Sequence, residues 1–492
     1  MQLEKLVRGI DLRIEKAAAS QHDITGLTPD SRKVEPGFLF AAFKGAQIDG
    51  VKFIASAIEN GAVAILCSSD DADRAKAGLP EAVALLVSDE PRQTLAYMAA
   101  RFYPDQPSTM VAVTGTSGKT SVAYFVRQIF QNAGHSAASL GTLGTVTADG
   151  LNYGGLTTPD PVSLHAELDA LARRGITHGA LEASSHGLDQ HRLDGVRIAA
   201  AAFTNLGRDH MDYHPTVEDY LNAKLRLFKD LLPPGGVVVV DPSEEYADRV
   251  IEVARQRGLK LITVGEAGED LKLIGLTPLG NGQVLNLQTA HGDFTVTLPL
   301  IGRFQVSNAL IAAGLTIAVG LDAGAALRSL ENLKGAPGRL EFAGHSKSGG
   351  IVVIDYAHKP DALRNALTAL RPVASGNLSV VVGAGGDRDP GKREIMGRIA
   401  AEMADEVIIT DDNPRSEDPA KIRKQMLVGA PNAFEIGDRL SAIKKAVHGL
   451  KTGDVLCVAG KGHETGQIVG DTVLPFSDHE AVAQAIAEED IL

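Results

Sequence analysis

Short runs of small apolar residues alternate with amphipathic helical patterns along most of the chain. In its middle part the runs are VAVTG, GALEASS, IAAAAFTNL and GGVVVVD. Runs that are apolar throughout are typical of strands buried on both faces, and helical segments between them favour a parallel sheet. The stretch DFTVTLPL alternates instead with a period of two, so it predicts an antiparallel hairpin.

Both ends of the chain repeat this alternation. The first part contains FLFAAF, AVAILC and AVALLVSD, and the last contains GIVVIDY, LSVVVGAG, DEVIITD, AFEIGD and DVLCVAG. FYPDQPST and LKGAPGRLEF have the proline and glycine content of domain junctions. We therefore predict an α/β protein of three domains. They are a small N-terminal α/β domain (1–105), a central P-loop ATPase-like domain with a mostly parallel sheet (106–337), and a C-terminal Rossmann-like doubly wound domain (338–492).

Composition limits the classes of partner and the cellular compartment that we expect for this protein. The net charge of −13 disfavours nucleic acid as a main partner. Cys67 and Cys457 both lie in apolar runs, which is typical of buried thiols in a reducing compartment. No uncharged apolar run reaches the length of about 18 residues that spans a membrane, and the charged N-terminus lacks a signal core. We expect a cytoplasmic, monomeric protein without membrane insertion.

The segment VAVTGTSGKTSVAYF combines a strand, a glycine-rich loop and a helix. Such a loop turns backbone N–H groups toward phosphate oxygens, and the following helix offers its positive end. Lys119 would reach the terminal phosphates, and the Thr120 hydroxyl would bind magnesium. The longer form of this motif has glycine where this chain has Val113, and the short form alone also occurs by chance.

Three further features of the central segment carry charge. Glu182 lies inside a buried strand, where a carboxylate needs a partner or a metal, and Asp209 and His210 follow another strand. In the helix TVEDYLNAKLRLFKDLL, Thr216 and Asp219 resemble a capping box. Its predicted buried face consists of Val217, Tyr220, Leu221, Phe228 and Leu231.

Lys224 lies on that same buried face. It either pairs with Glu182 or extends to solvent, or it is a neutral amine that becomes a carbamate and binds magnesium. The sequence leaves both alternatives open.

Four polar loops follow strands of the last segment: Asp355–His358, Gly385–Arg388, Asp412–Arg415 and Gly460–Glu464. The carboxyl ends of parallel strands share one edge of a sheet, so these loops predict a pocket there. Ordinary loop composition is the alternative.

Taken together, these motifs resemble those of the Mur ligase family. The resemblance rests on TGTSGKTS, on LEASSHGLDQHR and FTNLGRDHMDYH with YLNAKLRLF, and on GGDRDPGKR, DDNPR and GKGHE. It implies an ATP-dependent ligase that builds the peptide of the cell-wall precursor through an acyl phosphate. Within the family, the DNPR motif goes with meso-2,6-diaminopimelate as the amino acid, and the resemblance as a whole implies UDP-N-acetylmuramoyl-L-alanyl-D-glutamate as the other substrate.

The resemblance also implies roles for individual residues. ATP would contact Gly115, Thr116, Ser117, Gly118, Lys119, Thr120, Ser121, Asn308, Arg339, Asp355 and His358. Magnesium would be held by Thr120, Glu182, His210 and carbamylated Lys224. The catalytic residues would be Lys119, Glu182, His210 and Lys224. The UDP-linked substrate would contact Ser31, Thr157, Thr158, Ser184, Gln190 and Arg192. Diaminopimelate would contact Arg388, Asp412, Asn413, Pro414, Arg415, Gly460 and Glu464.

The amino-acid preference has a physical basis. Diaminopimelate carries a carboxylate that lysine lacks. Arg388 and Arg415 would clamp carboxylates with charge-assisted bonds, and Glu464 would take the distal ammonium. Lysine would leave arginine charge unpaired and would be rejected.

Some positions depart from the family pattern. Gln305 stands in place of asparagine, Lys359 in place of threonine, and Ala46 and Ile48 in place of a polar pair near uracil.

Other interpretations remain at this stage. One is a lysine-adding ligase, which would differ at Arg415. Another is a folylpolyglutamate-synthase-like ligase, which should lack DNPR and the first domain. A third, from a different class, is a P-loop switch protein that hydrolyses nucleotide to change shape. For a ligase, we expect the third domain to close onto the second.

Overall fold

The computed structural model describes residues 1–16, 23–45, 49–152, 154–207, 209–211, 213–279 and 282–488. Ala46 and Ile48, the expected uracil-side positions, lie outside these ranges. The chain forms two compact units, one of Met1–Ala267 with Gly314–Asp322 and the other of Gly268–Ala313 with Ala323–Leu492.

The first unit begins with a small α/β sheet. Its strands are β1 (Arg13–Lys16), β2 (Gly26–Thr28), β3 (Phe38–Ala41), β4 (Ala64–Ser68) and β5 (Ala84–Ser88), and its helices are α1 (Leu3–Val7), α2 (Ile54–Glu59), α3 (Ala72–Lys76) and α4 (Pro91–Phe102). The order is β1-β5-β4-β3-β2, in which β2 to β5 are parallel and β1 is antiparallel. The apolar runs predicted as strands form β3, β4 and β5.

A larger, mostly parallel sheet follows in the same unit. Its strands are β6 (Thr109–Thr114), β7 (Ala137–Gly141), β8 (Gly144–Thr147), β9 (Gly150–Asn152), β10 (His178–Glu182), β11 (Ile198–Phe203), β12 (Val237–Val240) and β13 (Lys260–Gly265). The helices are α5 (Lys119–Asn132), α6 (Pro161–Arg173), α7 (Ser185–Asp189), α8 (Val217–Arg226) and α9 (Ala247–Gln256). The order is β13-β12-β11-β6-β10-β7-β8-β9, and only β8 and β9 are antiparallel to their neighbours.

This strand order decides which loops meet. Because β6 lies between β10 and β11, the segments that follow these three strands lie together at the carboxyl edge of the sheet. β7 adjoins β10, so the segment after β7 joins the same group. The phosphate-loop segment and Glu182 are therefore neighbours.

α8 largely follows the prediction. The Thr216 hydroxyl accepts a hydrogen bond from the Asp219 N–H, as expected for a capping box. Tyr220, Leu221 and Phe228 are buried, whereas Val217 is 37% exposed because it lies in the first turn, at the solvent end of the helix. A π-helical turn, Leu227–Leu231, continues the helix.

The second unit begins with an antiparallel meander of β14 (Leu271–Leu279), β15 (Gly282–Thr289) and β16 (Gly292–Leu298). The period-two stretch DFTVTLPL contributes β16, so the predicted hairpin is confirmed. The helices α10 (Arg303–Ala318) and α11 (Ala323–Ser329) follow along the chain.

The remaining strands of the second unit are β17 (Glu341–His345), β18 (Ile351–Asp355), β19 (Leu378–Val382), β20 (Glu406–Ile409), β21 (Phe434–Glu435), β22 (Val455–Ala459), β23 (Gly466–Val469) and β24 (Thr472–Pro475). The helices are α12 (Pro360–Leu370), α13 (Gly391–Met403), α14 (Pro419–Gly429), α15 (Arg439–Gly449) and α16 (Asp478–Glu488). The sheet order is β17-β18-β22-β19-β20-β21, parallel from β18 to β21, while β23 and β24 form a separate hairpin.

Helices cover both faces of this sheet. Residues of α12, α13 and α14 pack with Val353, Val380 and Cys457 on one face. Residues of α15 and α16 pack with Val381 and Val458 on the other. The doubly wound prediction is therefore confirmed.

The sequence also predicts two buried thiols and no membrane-spanning segment. Cys67 and Cys457 are both free and buried. In the described ranges, no helix combines the length and apolarity needed to cross a bilayer.

Candidate active site

A glycine-rich loop joins β6 to α5. Gly115 has φ +147° and Gly118 has φ +87°, conformations that favour glycine. A side-chain carbon on Gly115 would also overlap the Thr204 hydroxyl. α5 begins at Lys119, whose Nζ donates to the carbonyl oxygens of Gly115 and Thr116, each at 2.9 Å. The loop thus presents a lysine and a helix N-terminus, the combination that binds phosphate.

The Glu182 carboxylate is buried and is held by neutral donors. Its Oε1 accepts the Thr142 N–H at 2.8 Å. Its Oε2 accepts the hydroxyls of Thr120 at 3.1 Å and Thr142 at 3.2 Å. The acid and the hydroxyl predicted to bind magnesium are therefore in direct contact.

Lys224 lies beneath the same loop. Its side chain is 1% exposed, its Nζ donates to the Gly115 carbonyl at 2.7 Å, and it lies 4.2 Å from the centre of the Tyr220 ring. Burial, reinforced by the Lys119 cation, holds the pKa of Lys224 well below its usual range. Among the described residues it pairs with no carboxylate, so a salt bridge to Glu182 is not observed. These surroundings favour a neutral amine.

His210 adjoins this group through aromatic contacts. It has φ +55°, and its ring lies 4.8 Å from that of His186 and 6.2 Å from that of Tyr220. Its Nε2 is 3.6 Å from the Asp209 carboxylate. Tyr220 therefore connects His210 to the face of α8 that carries Lys224.

The donor types fit magnesium only in part. Among the described residues, no group of three histidine, cysteine, aspartate or glutamate side chains is placed to hold a metal. The Thr120–Glu182 pair supplies two kinds of oxygen donor, which magnesium prefers. A carbamate on Lys224 would add a third, whereas an unmodified amine is a poor magnesium ligand.

Residues predicted to hold the UDP-linked substrate gather beside Glu182. The Thr158 hydroxyl donates to the Glu182 carbonyl at 2.8 Å and accepts the Ser184 N–H at 3.1 Å. Arg192 donates to the Thr158 carbonyl at 2.7 Å and to the Gln190 side-chain oxygen at 2.8 Å. These four residues form one hydrogen-bonded group.

The other two predicted substrate residues are placed differently. The Thr157 hydroxyl is 3.0 Å from that of Thr142, which ties it to the Glu182 group. Ser31 belongs to the N-terminal sheet domain, where it opens a 3₁₀ turn and its carbonyl accepts a bond from Asn60 at 3.1 Å.

In the second unit, the DNPR and GKGHE loops bind each other. The Asn413 side chain donates to Glu464 at 2.9 Å and accepts from the buried Lys461 ammonium at 3.0 Å. Lys461 also lies 3.1 Å from the Glu464 carboxylate. Gly460 has φ +120°, and a side-chain carbon there would come 2.7 Å from the Asp412 carboxylate, so this position favours glycine.

Arg415 and Arg388 lie on adjoining loops. Arg415 has φ +52° and donates through Nη1 to the Gly386 carbonyl at 2.8 Å. A side chain on Gly386 would overlap the Pro414 carbonyl oxygen, so these two loops are in backbone contact. Arg388 is exposed. Both arginines are thus near one edge of the sheet.

Three of the predicted ATP contacts of this unit surround Tyr356. The Arg339 guanidinium lies 4.8 Å from the Tyr356 ring centre. Burial raises the pKa of Asp355 to about 6, although the Arg339 cation opposes that shift. His358 bonds to the Tyr356 carbonyl at 2.8 Å, and burial lowers the pKa of His358 to about 4.

Gln305, the departure from the family pattern, connects Asn308 to this group. It accepts the Asn308 side-chain N–H at 3.1 Å and donates to the Arg339 carbonyl at 3.1 Å. The longer side chain therefore reaches the turn that carries Arg339.

Thr142 and Asn205 belong to this site, although no sequence motif marks them. Thr142 holds both oxygens of Glu182, and Asn205 accepts the Ser117 N–H at 2.9 Å. Each residue follows a strand of the central sheet, and this position after a strand is the only feature of the sequence that points to them. It does not identify them as site residues, because the sequence does not give the strand order that decides which loops meet.

Comparisons with known proteins agree with this geometry. Family models match three segments: the Mur ligase family catalytic domain over residues 23–103, the Mur ligase middle domain over 113–316, and the Mur ligase glutamate ligase domain over 338–462. These matches correspond to the three α/β domains. The boundaries predicted at 105/106 and 337/338 stay predictions.

Full-length relatives carry more specific names. A UDP-N-acetylmuramoyl-L-alanyl-D-glutamate–2,6-diaminopimelate ligase of Bradyrhizobium diazoefficiens is 55% identical over 491 residues, 99% of each chain. Its namesake from Agrobacterium fabrum is 53% identical over 95% of this chain and 94% of its own. A solved structure with the same name is 34% identical, with a TM-score of 0.71 and 96% coverage of both chains.

Proposed function

Because this chain belongs to the Mur ligase family, we propose that it joins meso-2,6-diaminopimelate to UDP-N-acetylmuramoyl-L-alanyl-D-glutamate at the expense of ATP. The observation that carries the choice of amino acid is the contact between the Asp412–Arg415 loop, the Gly385–Arg388 loop and Glu464. Two arginines and one carboxylate on that rim match the carboxylates and distal ammonium of diaminopimelate.

The first step is activation of an acid. The terminal D-glutamyl carboxylate attacks the γ-phosphate of ATP in line and forms an acyl phosphate, with ADP as leaving group. Lys119 neutralises charge that develops on the phosphate oxygens, and the N-terminus of α5 orients them. Thr158, Ser184, Gln190 and Arg192 hold the UDP-linked peptide beside Glu182.

Magnesium would be held by Thr120, Glu182, His210 and carbamylated Lys224, and when bound it neutralises charge on the transferring phosphoryl group. The neutral Lys224 amine would add carbon dioxide at Nζ and release a proton, which converts the buried amine into an anionic oxygen donor. The surroundings of Lys224 support this modification, because its Nζ is buried against the Gly115 carbonyl oxygen and because burial and the Lys119 cation lower its pKa against the opposing charge of Asp209.

The second step is amide formation. The amine of diaminopimelate attacks the acyl carbonyl, and phosphate leaves from the tetrahedral intermediate. Arg388 and Arg415 orient the amino acid through its carboxylates, while Glu464 accepts its distal ammonium. No protein nucleophile takes part, so positioning and electrostatics account for the rate.

The remaining expectations follow from the family. Asn308, Arg339, Asp355 and His358 are the proposed ATP contacts of the second unit, and Ser31 is proposed to contact the UDP group. A cytoplasmic location, a monomeric state and domain closure stay predictions.

An amino-acid panel tests the function. With the UDP-muramoyl dipeptide and ATP, we expect phosphate release only when an amino acid is present, with meso-diaminopimelate preferred over L-lysine by at least about 100-fold in kcat/KM. Coupled phosphate detection and mass spectrometry of the product would measure both. A preference for lysine would contradict the proposed amino acid, and steady ATP hydrolysis without co-substrates would favour a switch protein.

A further inference from the structure

Arg393 stands out among the buried charges of the second unit. Its side chain is 1% exposed, on the first turn of α13, and it is not among the residues that the family motifs assign to a substrate. Both terminal nitrogens bind Glu417: Nη2 lies 2.8 Å from Oε1 and Nη1 lies 2.9 Å from Oε2. This parallel two-bond geometry is specific to arginine, because a lysine ammonium cannot reproduce it.

The same guanidinium contacts the Gly385–Arg388 loop and the segment that follows the Asp412–Arg415 loop, which are the two loops proposed to bind the amino acid. Nη2 also donates to the Gly385 carbonyl at 3.1 Å, at the start of the loop that carries Arg388. Glu417 lies two residues after Arg415 and accepts the Asp387 N–H at 2.6 Å. Arg393 and Glu417 therefore connect the segment before Arg388 to the segment after Arg415.

Further bonds join the two loops above this pair. Ser416 donates to the Asp387 carboxylate through its N–H at 3.1 Å and its hydroxyl at 2.6 Å. The Gly386 N–H donates to the Asn413 carbonyl at 2.9 Å. The loops thus form one hydrogen-bonded body with Arg393 at its buried base.

That body contains two unusual backbone conformations. Asp387 and Arg415 both have φ +52°, in the left-handed region. For residues with a side chain this conformation is unfavourable, and it persists when surrounding contacts determine it. Asp387 directly precedes Arg388, and Arg415 is the other arginine predicted to bind a substrate carboxylate.

We propose that Arg393 is a positioning residue that sets the spacing and orientation of Arg388 and Arg415, and through them the selectivity for an amino acid with a distal carboxylate. This inference rests on the proposed function, since it names what controls the amino-acid site. Arg393 itself is buried and does not touch substrate.

The test uses Arg393→Lys and Glu417→Gln in the full-length protein. We expect the KM for meso-diaminopimelate to rise at least about 10-fold in each, since small misplacements of binding groups cost up to about 100-fold. The KM values for ATP and for the UDP-muramoyl dipeptide should stay within about 2-fold of the parent. The preference for meso-diaminopimelate over lysine should fall in parallel.

Arg371→Lys is the control for replacing an arginine of a charged pair, at a more exposed position. Arg371 also forms a charged pair in this unit, donating to Asp405 at 2.6 Å, and it serves no proposed site residue. We expect its kinetic constants to match the parent. If Arg393→Lys does not fold, Glu417→Gln carries the test, because its side chain is 35% exposed.

The outcomes separate the two proposals. If the parent ligates diaminopimelate but both variants keep its KM and selectivity while melting at a lower temperature, Arg393 is structural only and the inference is overturned. If the parent itself does not ligate diaminopimelate, the proposed function fails instead.

Discussion

The chemistry of single residues in this protein depends on which partner each one has. Glu182 and Lys224 are both buried in the first unit, and a direct ion pair would have been the simplest arrangement. Glu182 instead binds two threonine hydroxyls, and Lys224 binds a backbone carbonyl. Burial and the Lys119 cation outweigh the opposing charge of Asp209 and lower the pKa of Lys224, so the neutral amine is favoured over the ammonium.

Replacing Lys224 tests this environment. We expect Lys224→Ala to lower kcat by at least about 100-fold, the loss seen when one preorganised electrostatic group is removed from an active site. Lys229→Ala, at an exposed position on the following turn, is the control and should ligate normally.

The carbamate itself has a direct readout. With ¹³C-labelled bicarbonate, the parent should show a carbamate carbon resonance that Lys224→Ala lacks. Near-normal ligation by Lys224→Ala without added carboxylate would rule out the carbamate in catalysis.

At the scale of elements, helix ends place the functional side chains. α5 begins at Lys119 immediately after the glycine loop, and α8 begins after Thr216, two turns before Lys224. Both starts were predictable, because glycine loops and capping boxes are local patterns. The exposure of the Val217 side chain was not predictable, because the spacing of apolar residues does not show which part of a helix the neighbouring elements cover.

The cap of α8 provides a stability test. Thr216→Ala removes the acceptor for the Asp219 N–H, and we expect it to lower the free energy of unfolding by about 1 kcal/mol. Thr216→Ser keeps the hydroxyl and should lose much less. Denaturant unfolding followed by circular dichroism measures both variants, and equal losses would show that the hydroxyl does not cap the helix.

At the scale of the whole molecule, three half-buried histidines contribute to the response of stability to acid. Burial, with His135 4.1 Å away ring to ring, lowers the pKa of His178 to about 4. His358 and His463 are lowered to about the same pKa, mainly by burial. Between about pH 6.5 and 4 the unfolded chain therefore binds more protons at these sites, so they reduce stability as the pH falls. Asp355, with its pKa raised to about 6, acts in the opposite direction between about pH 6 and 4.

His178 lies outside the proposed site, so replacing it tests the pH dependence of stability without changing a proposed binding residue. We expect His178→Gln to lose less stability than the parent when the pH is lowered from 6.5 to 4. Thermal melts across that range would show it, with the exposed His291→Gln as control. Parallel curves for parent and His178→Gln would contradict the assigned proton linkage.

The sequence alone determined the α/β class, the strand-like runs, the glycine loop and the polar loops that carry the GGDRDPGKR and DNPR motifs, because periodicity, turn chemistry and short motifs are properties of neighbouring positions. It left open whether Lys224 meets Glu182, it did not identify Thr142 or Asn205, and it gave Arg393 no role although that residue ends the GGDRDPGKR motif. Those depend on strand order and on which loops share an edge: β7 beside β10 brings Thr142 to Glu182, and α13 beneath two loops brings Arg393 to Glu417. Only the tertiary structure decides such contacts, because they join residues far apart in the chain whose pairing no local pattern encodes.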